Sequence, residues 1–168
     1  VFREHGRIAE ESMLIRHPDR VSLVVFTGGE DVSPDLYGEN LGFCTYCNEW
    51  RDEYECKMFD IAYEHGIPCV GICRGAQLLC VKAGGSLVQD ITGHVGGMHD
   101  IMTIDDRIIT VNSSHHQMQL PDDDAIVLAW ADPCLSRHYL DGDNDYLEIE
   151  REIEVVYYPK ISSIGIQY

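Results

Sequence analysis

Positive charge is scarce in this chain: 12 Lys and Arg stand against 29 Asp and Glu, a formal net charge of −17 at pH 7. A phosphate backbone is repelled by such a surface and no basic patch relieves it, which argues against a nucleic-acid partner. An anionic membrane surface is disfavoured on the same ground. The surplus acid reads as a solubility feature, with DDD at 122–124 and DGDND at 141–145 as solvated loops. Long hydrophobic runs are missing too. A run such as VSLVVF at 21–26 is far too short to cross a bilayer. Residues 1–11, VFREHGRIAEE, are charged and hold no apolar h-region, so they do not read as a signal peptide. Repeats and low-complexity tracts are absent. No linker divides the sequence, and 168 residues at 45% hydrophobic can bury a real core, so residues 1–168 are read as one domain.

A disulfide framework is also lacking. Seven cysteines is an odd number, in a chain large enough to fold without staples, which favours free thiols in a reducing, cytoplasmic compartment. Cys56, Cys69, Cys80 and Cys134 sit in apolar company and are expected in the core. Cys44 and Cys47 form one C-x-x-C with no second pair spaced to complete a zinc site, so no metal is expected there. No thioredoxin-like context surrounds that pair either.

What is present has the rhythm of an α/β protein. VSLVVF at 21–26 reads as a strand buried on both faces, ended by Thr27-Gly28-Gly29. Residues 49–65 have helical spacing, with Trp50, Tyr54, Met58, Ile61 and Ala62 on one face and Glu53 four before Lys57. Residues 67–72 form the next buried strand and 74–83 the next helix, closed by Gly84-Gly85. Strand, helix, strand, helix implies right-handed crossovers and a parallel sheet. The segments at 107–111, 125–131, 153–158 and 164–168 look extended. The expectation is a flavodoxin-like, doubly wound α/β fold: a parallel core sheet in a three-layer α/β/α arrangement, with antiparallel strands added in the second half.

The junction at residues 71–75, Gly-Ile-Cys-Arg-Gly, is a G-x-C-x-G between a strand and a helix, the cysteine form of the nucleophile elbow. A sharp turn exposes the nucleophile on strained backbone, and small residues two before and two after let neighbouring chain pass close. The thiol of Cys73 then stands at a helix N-terminus, where the macrodipole favours thiolate, and the Arg74 N–H can point at an oxyanion. A buried core cysteine between turn glycines is the competing reading, and the strand before and helix after weigh against it. Gly28-Gly29 ends a neighbouring strand and can offer a second N–H; taken alone the dipeptide is an ordinary turn. VNSSHHQ at 111–117 brings two histidines after a strand, which serve equally as a catalytic imidazole or as surface residues. His94 and His99, in the glycine-rich GHVGGMHD, read as loop residues.

Together TGGEDVSPDLYGE at 27–39, RDEYE at 51–55, IPCVGICRGAQLLCVKAGGSLVQD at 67–90 and VNSSHHQ at 111–117 resemble the class I glutamine amidotransferase superfamily, in its gamma-glutamyl-gamma-aminobutyrate hydrolase type branch. The resemblance implies that Cys73 attacks a gamma-glutamyl amide and forms a thioester. It implies an oxyanion hole from the backbone N–H groups of Gly29 and Arg74. It implies substrate contacts from Gly28, Gln77, Asn112, Ser113 and His115, with His115 nearest the acyl group. No cofactor is implied, because thioester chemistry needs none. The partner implied is a small gamma-glutamyl amide, with a synthetase subunit as an alternative and homo-oligomerisation left open. In that superfamily the catalytic His and Glu lie in a His-Pro-Glu element directly after a strand resembling SIGIQY at 163–168, and the first strand precedes a helix resembling residues 1–6. The expectation is therefore that this chain is part of a longer polypeptide.

Two other classes compete. ThiJ/PfpI-type cysteine hydrolases share the elbow but place a histidine straight after the nucleophile, where this chain has Arg74. A pseudoenzyme that keeps only a gamma-glutamyl-binding pocket would carry the same motifs with an unreactive Cys73.

Overall fold

The computed structural model describes residues 7–168, so the helix expected at residues 1–6 lies outside the described residues. Helix α1 (Glu11–Arg16) carries Glu11 in its first turn and Arg16 in its last, the signs a helix dipole favours. Strand β1 (Val24–Phe26) follows, and a long loop leads to helix α2 (Glu49–Glu64). Asn48 caps α2 by accepting the Arg51 N–H at 3.3 Å. Gly66, at φ 64°, releases the chain from the helix end. Strand β2 (Cys69–Ile72) then runs into helix α3 (Arg74–Lys82). The rest is strand-rich: β3 (Ser86–Val88), β4 (Asp90–Ile91), β5 (Val95–Thr103), β6 (Ile108–Ser114), β7 (Met118–Leu120), β8 (Ile126–Ala131), β9 (Tyr139–Leu140), β10 (Glu152–Tyr158) and β11 (Ser163–Ile166).

The main sheet has the order β1-β2-β11-β10-β8-β5-β6, with β3–β7 and β4–β9 as two small antiparallel pairs. β1, β2 and β11 are mutually parallel, and every later pairing in the sheet is antiparallel. This is an α/β, flavodoxin-like architecture with a parallel centre and an antiparallel extension. Because β1, β2 and β11 run the same way, their C-terminal ends open on one edge, where a parallel α/β sheet places its site. Helix α3 crosses β1, β2 and β11 and buries Leu78 and Leu79 fully. These side chains share one core with Phe26, Phe59, Ala62, Val156 and Tyr158. A smaller core of Ile101, Val111 and Ala129 sits under the antiparallel half.

Several expectations are corrected. Trp50 is 72% exposed and stacks on Tyr54 at 5.7 Å, while α2 buries Asp52, Met58, Phe59 and Ala62. The buried stripe is set by Asp52, and residues two apart on a helix point roughly 200° away from each other. The i,i+4 ion pair that forms on α2 is Arg51–Glu55. Residues 95–103 are strand rather than loop: Gly96, at φ 74°, absorbs a bulge between Val95 and Gly97, and the strand pairs with both β6 and β8. Cys134 is exposed, Cys56 half-buried, and Cys69 and Cys80 buried as expected.

Replacing Leu79 by Ala removes a fully buried side chain from the main core and is expected to cost ~3 kcal/mol of unfolding free energy. Trp50→Ala is expected to change it by less than about 0.5 kcal/mol. Urea unfolding of both variants checks that Leu79 of α3 lies in the core and Trp50 of α2 outside it, and a larger loss at Trp50 than at Leu79 contradicts this.

Candidate active site

Cys73 stands between β2 and α3 at φ 53° and ψ −111°, a backbone conformation an L residue adopts only under strain. Its N–H donates to the Ile166 carbonyl at the end of β11 (2.7 Å), and its carbonyl accepts the N–H groups of Ala76 and Gln77 at 2.9 and 3.2 Å. The two flanking glycines are steric necessities. A methyl group on Gly71 would lie 2.2 Å from the Gly75 carbonyl oxygen, and one on Gly75 would lie 2.3 Å from that of Phe26. The helix is thus pressed onto the ends of β2 and β1, and the turn cannot relax. A methyl group on Gly28 would stand 3.6 Å from the Cβ and 3.9 Å from the Sγ of Cys73. The Gly28-Gly29 loop therefore passes directly beside the thiol.

The Arg74 side chain plays a part that the sequence reading did not assign to it. It is 1% exposed, with Nη2 2.5 Å from Asp52 Oδ1 and Nη1 paired with Glu55, both on α2. Asp52 also accepts the Ser33 N–H at 3.1 Å. Glu55 accepts from Arg51 (3.0 Å), whose guanidinium donates to Glu30 and to the carbonyls of Thr27 and Gly28 at 2.8, 3.3 and 3.0 Å. One chain of charges so joins the elbow, α2 and the 27–33 loop. Gly29 sits at φ 154°, and a side chain there would collide with the Arg51 guanidinium. The signal available in sequence was RDEYE, whose Arg, Asp and Glu sit on one end of a helix, but their partner lies about 20 residues away.

Gln77 is buried one turn into α3, and its Nε2 donates to the Gln117 carbonyl at 3.3 Å. It so ties the elbow helix to the segment after β6. The two histidines there diverge. His116 is half-buried with Nε2 3.1 and 3.2 Å from the Asp31 carboxylate. His115 is buried and turned inward: Nδ1 donates to the Gln117 carbonyl (2.9 Å), and Nε2 lies 3.6 Å from Glu154. Ser113 is buried and donates to the His94 carbonyl at 2.7 Å, whereas Asn112 is exposed on β6, an edge strand. Cys73, Arg74, Gly28, Gly29 and Gln77 thus come together at one sheet edge. Asn112 stands apart, and His115 faces a buried acidic strand.

That strand carries Glu152 and Glu154, both fully buried. His94 pairs with both carboxylates, and His99 lies 3.1 Å from Glu154. Glu154 is held down to about 2, its burial outweighed by the imidazoles of His115 and His94 close beside it. His94 is pushed up to about 9, its burial outweighed by Glu152 and Glu154. The Cys73 thiol moves up: burial dominates, and the charges of Asp31 and Glu154 add to it against the opposing Arg74 N–H. The helix terminus alone therefore does not deliver the thiolate expected from the sequence. The elbow can present a thiol beside backbone donors.

The family described as Peptidase C26 matches residues 8–132 of this chain. Over 76 residues the chain is 45% identical to a Lactococcus lactis subsp. cremoris protein named as a glutamine amidotransferase-like YvdE homolog, covering 43% of this chain and 39% of that protein. Over 106 residues it is 31% identical to the carbamoyl phosphate synthase small chain of Vibrio vulnificus, covering 63% of this chain and 23% of that one. The crystal structure of a glutamine amidotransferase from Thermotoga maritima overlays with a TM-score of 0.61 at 18% identity, covering 90% of this chain and 57% of that one. That last likeness is one of fold. The chain spans less than half the length of the two curated relatives.

Two substitutions test the elbow. Gly75→Ala forces a methyl group into the Phe26 backbone and is expected to cost more than ~2 kcal/mol, while Gly97→Ala, which meets open space, is expected to be tolerated. Arg74→Met strands Asp52 and Glu55 without their buried cation and is expected to cost ~3–5 kcal/mol. Chemical unfolding monitored by fluorescence and circular dichroism measures all three. A neutral Arg74→Met would mean that the ion pair contributes nothing to the fold.

Proposed function

Because the chain belongs to the peptidase C26 family, within the class I glutamine amidotransferase-like superfamily, we propose that it is a cysteine-nucleophile hydrolase of gamma-glutamyl amides. The observation that carries this reading is Cys73, held on strained backbone between two glycines that tolerate no side chain, with the Gly28-Gly29 loop beside its Sγ. In the proposed reaction the Cys73 thiolate attacks the gamma-carbonyl carbon of the substrate. The C–S bond forms as the carbonyl electrons move onto oxygen, and the backbone N–H groups of Gly29 and Arg74 receive that oxyanion. The C–N bond then breaks, the amine leaves with a proton, and a glutamyl-thioester remains. Water attacks the thioester, and glutamate and the free thiol are released.

The raised thiol makes a base indispensable. In the superfamily that this chain resembles, the imidazole comes from a His-Pro-Glu element directly after the strand matching β11. The Ile166 carbonyl at the end of β11 accepts the Cys73 N–H, so the end of β11 lies beside the proposed nucleophile. Gly28 and Gln77 form the wall of the glutamyl pocket in this reading. His115 supports that wall through the Gln117 carbonyl that it and Gln77 both grip, whereas Asn112 stands apart from it. The compartment we propose is the cytoplasm, where seven free thiols stay reduced.

A second reading is favoured by the likeness to a carbamoyl phosphate synthase small chain: the same thioester chemistry supplies ammonia to a synthetase partner. The two differ in autonomy. A free-standing hydrolase turns over alone, whereas a glutaminase subunit is slow alone and accelerates when its partner is added.

Full-length protein treated with the glutamine-analogue electrophile 6-diazo-5-oxo-norleucine is expected to gain one adduct by intact mass, mapped to Cys73. Cys73→Ala is expected to keep the fold and lose both the adduct and all gamma-glutamyl hydrolysis. Turnover surviving in Cys73→Ala would sink the assignment. An unreactive Cys73 in folded full-length protein would leave a binding pocket in place of an enzyme.

A further inference from the structure

Three imidazoles converge on one carboxylate oxygen in the antiparallel half of the protein. Glu154 Oε1 lies 3.2 Å from His94 Nδ1, 3.1 Å from His99 Nε2 and 3.6 Å from His115 Nε2. All four residues are buried. The donor atoms of His94, His99 and Glu154 lie within 4.8 Å of one another. The far nitrogens of two rings are already engaged. His94 Nε2 bonds Glu152 Oε2 at 3.0 Å, and His115 Nδ1 bonds the Gln117 carbonyl at 2.9 Å. A ring nitrogen beside a carbonyl oxygen must donate to it, so His115, when neutral, turns the lone pair of Nε2 toward Glu154.

Hydrogen bonding accounts for only part of this arrangement: His99 Nε2 bonds Glu154 Oε1, yet His94 Nδ1, His115 Nε2 and Glu154 Oε2 are all buried without a hydrogen-bond partner. At 3.2 Å His94 Nδ1 is close enough to bond Glu154, yet it is not aligned to do so. A neutral His115 sets the lone pair of Nε2 toward an anionic oxygen 3.6 Å away, which repels. Among the described residues no Lys or Arg pairs with Glu152 or Glu154; Glu152 is met by the N–H groups of Leu135 and Ser136 and the Tyr139 hydroxyl besides His94, whereas the side chain of Glu154 faces imidazoles alone. A dication held by neutral imidazoles would balance both charges and use the unpartnered lone pairs. The separations from the carboxylate oxygen fit: donors about 2.0–2.1 Å from a tetrahedral ion stand about 3.3 Å apart, and the three imidazole nitrogens lie 3.1, 3.2 and 3.6 Å from Glu154 Oε1, while the spread of up to 4.8 Å across His94, His99 and Glu154 must close when an ion binds. Imidazoles whose far nitrogens bond a carboxylate and a backbone carbonyl are the outer shell that zinc-ligating histidines carry.

We propose that His94 Nδ1, His99 Nε2, His115 Nε2 and Glu154 Oε1 form a closed, four-coordinate site for a divalent transition-metal ion of the zinc class. Four protein donors leave no open position, so the ion is structural rather than catalytic. It would staple β5, the segment after β6 and β10. The staple is two backbone bonds from the elbow, because Gln167 N–H donates to the Glu154 carbonyl at 2.8 Å and Cys73 N–H donates to that of Ile166. Glu152 orients His94 without touching the ion.

The test uses full-length protein carrying Cys73→Ala, so that the elbow thiol cannot ligate. Metal analysis after exhaustive dialysis against metal-free buffer is expected to give one zinc per chain. Cobalt(II) exchanged into the site is expected to show the visible bands of a tetrahedral ion without thiolate charge transfer. His99→Gln should abolish stoichiometric binding, and Glu152→Gln should weaken it by about 10–100-fold. Folded protein that retains no metal and gives no tetrahedral cobalt spectrum overturns the proposal and leaves a protonated histidine network. A cobalt spectrum with thiolate charge transfer that disappears when Cys44 and Cys47 are changed to Ser overturns it as well, by moving the ion elsewhere.

Discussion

The guanidinium of Arg74 is a full charge taken out of water, and the geometry around Cys73 follows from where that charge must go. Two carboxylates on α2, Asp52 and Glu55, neutralise it. Since α3 begins at Arg74, this pins the first turn of the elbow helix against the first half of α2. The same carboxylates reach outward. Asp52 takes the Ser33 N–H, and Glu55 takes Arg51, which grips the carbonyls of Thr27 and Gly28. Moving the 27–33 loop therefore requires disturbing a buried ion pair. Removing one partner of such a pair is costly because the other charge stays buried. Cys73 and the loop beside it are thus held in fixed relation by electrostatics, added to the packing of Val32 in the main core.

That constraint also shows what a sequence reveals and what it hides. β1, β2, α2, α3 and the G-x-C-x-G elbow were legible because their signals are local: β-branched runs, helical spacing, and glycines at fixed offsets. The role of the Arg74 side chain was not, because its partners lie about 20 residues upstream and only the fold joins them. Trp50 was misassigned for a related reason. Periodicity finds a face, but the face that is buried on α2 begins with a charged residue, Asp52. β5 was hidden by its glycines. GHVGGMHD reads as loop until Gly96 is seen to take a bulge in a strand with partners on both sides. Missing β5 also concealed the histidine cluster, since His94 and His99 come to face Glu154 only once β5 and β10 share a sheet.

The sheet changes character across its width, and the chemistry changes with it. The parallel strands β1, β2 and β11 supply loop ends, a strained turn and backbone donors at one edge. The antiparallel strands supply the buried ionisable groups, Glu152 and Glu154 with the three imidazoles around them. β11 belongs to both halves: it pairs parallel with β2 and antiparallel with β10. Its last residues bond Cys73 on one side and Glu154 on the other. The two halves are therefore coupled through the backbone of a single four-residue strand, and any shift of Glu154 along β10 is transmitted to the carbonyl that fixes the Cys73 N–H.

Placing Cys73 between acids has a chemical consequence. Asp31 and Glu154 reinforce burial in keeping the thiol protonated, against the pull of the α3 N-terminus. A thiol is a poor nucleophile and also a poor target for oxidants, since both reactions run through the thiolate. The surroundings thus keep Cys73 quiet until a proton acceptor is positioned at Sγ. The acidic neighbours cannot be that acceptor, because Glu154 is committed to three imidazoles and Asp31 to His116. In the proposed reaction, activation at this elbow is therefore a matter of delivering one base to one atom, the Cys73 Sγ beside the end of β11.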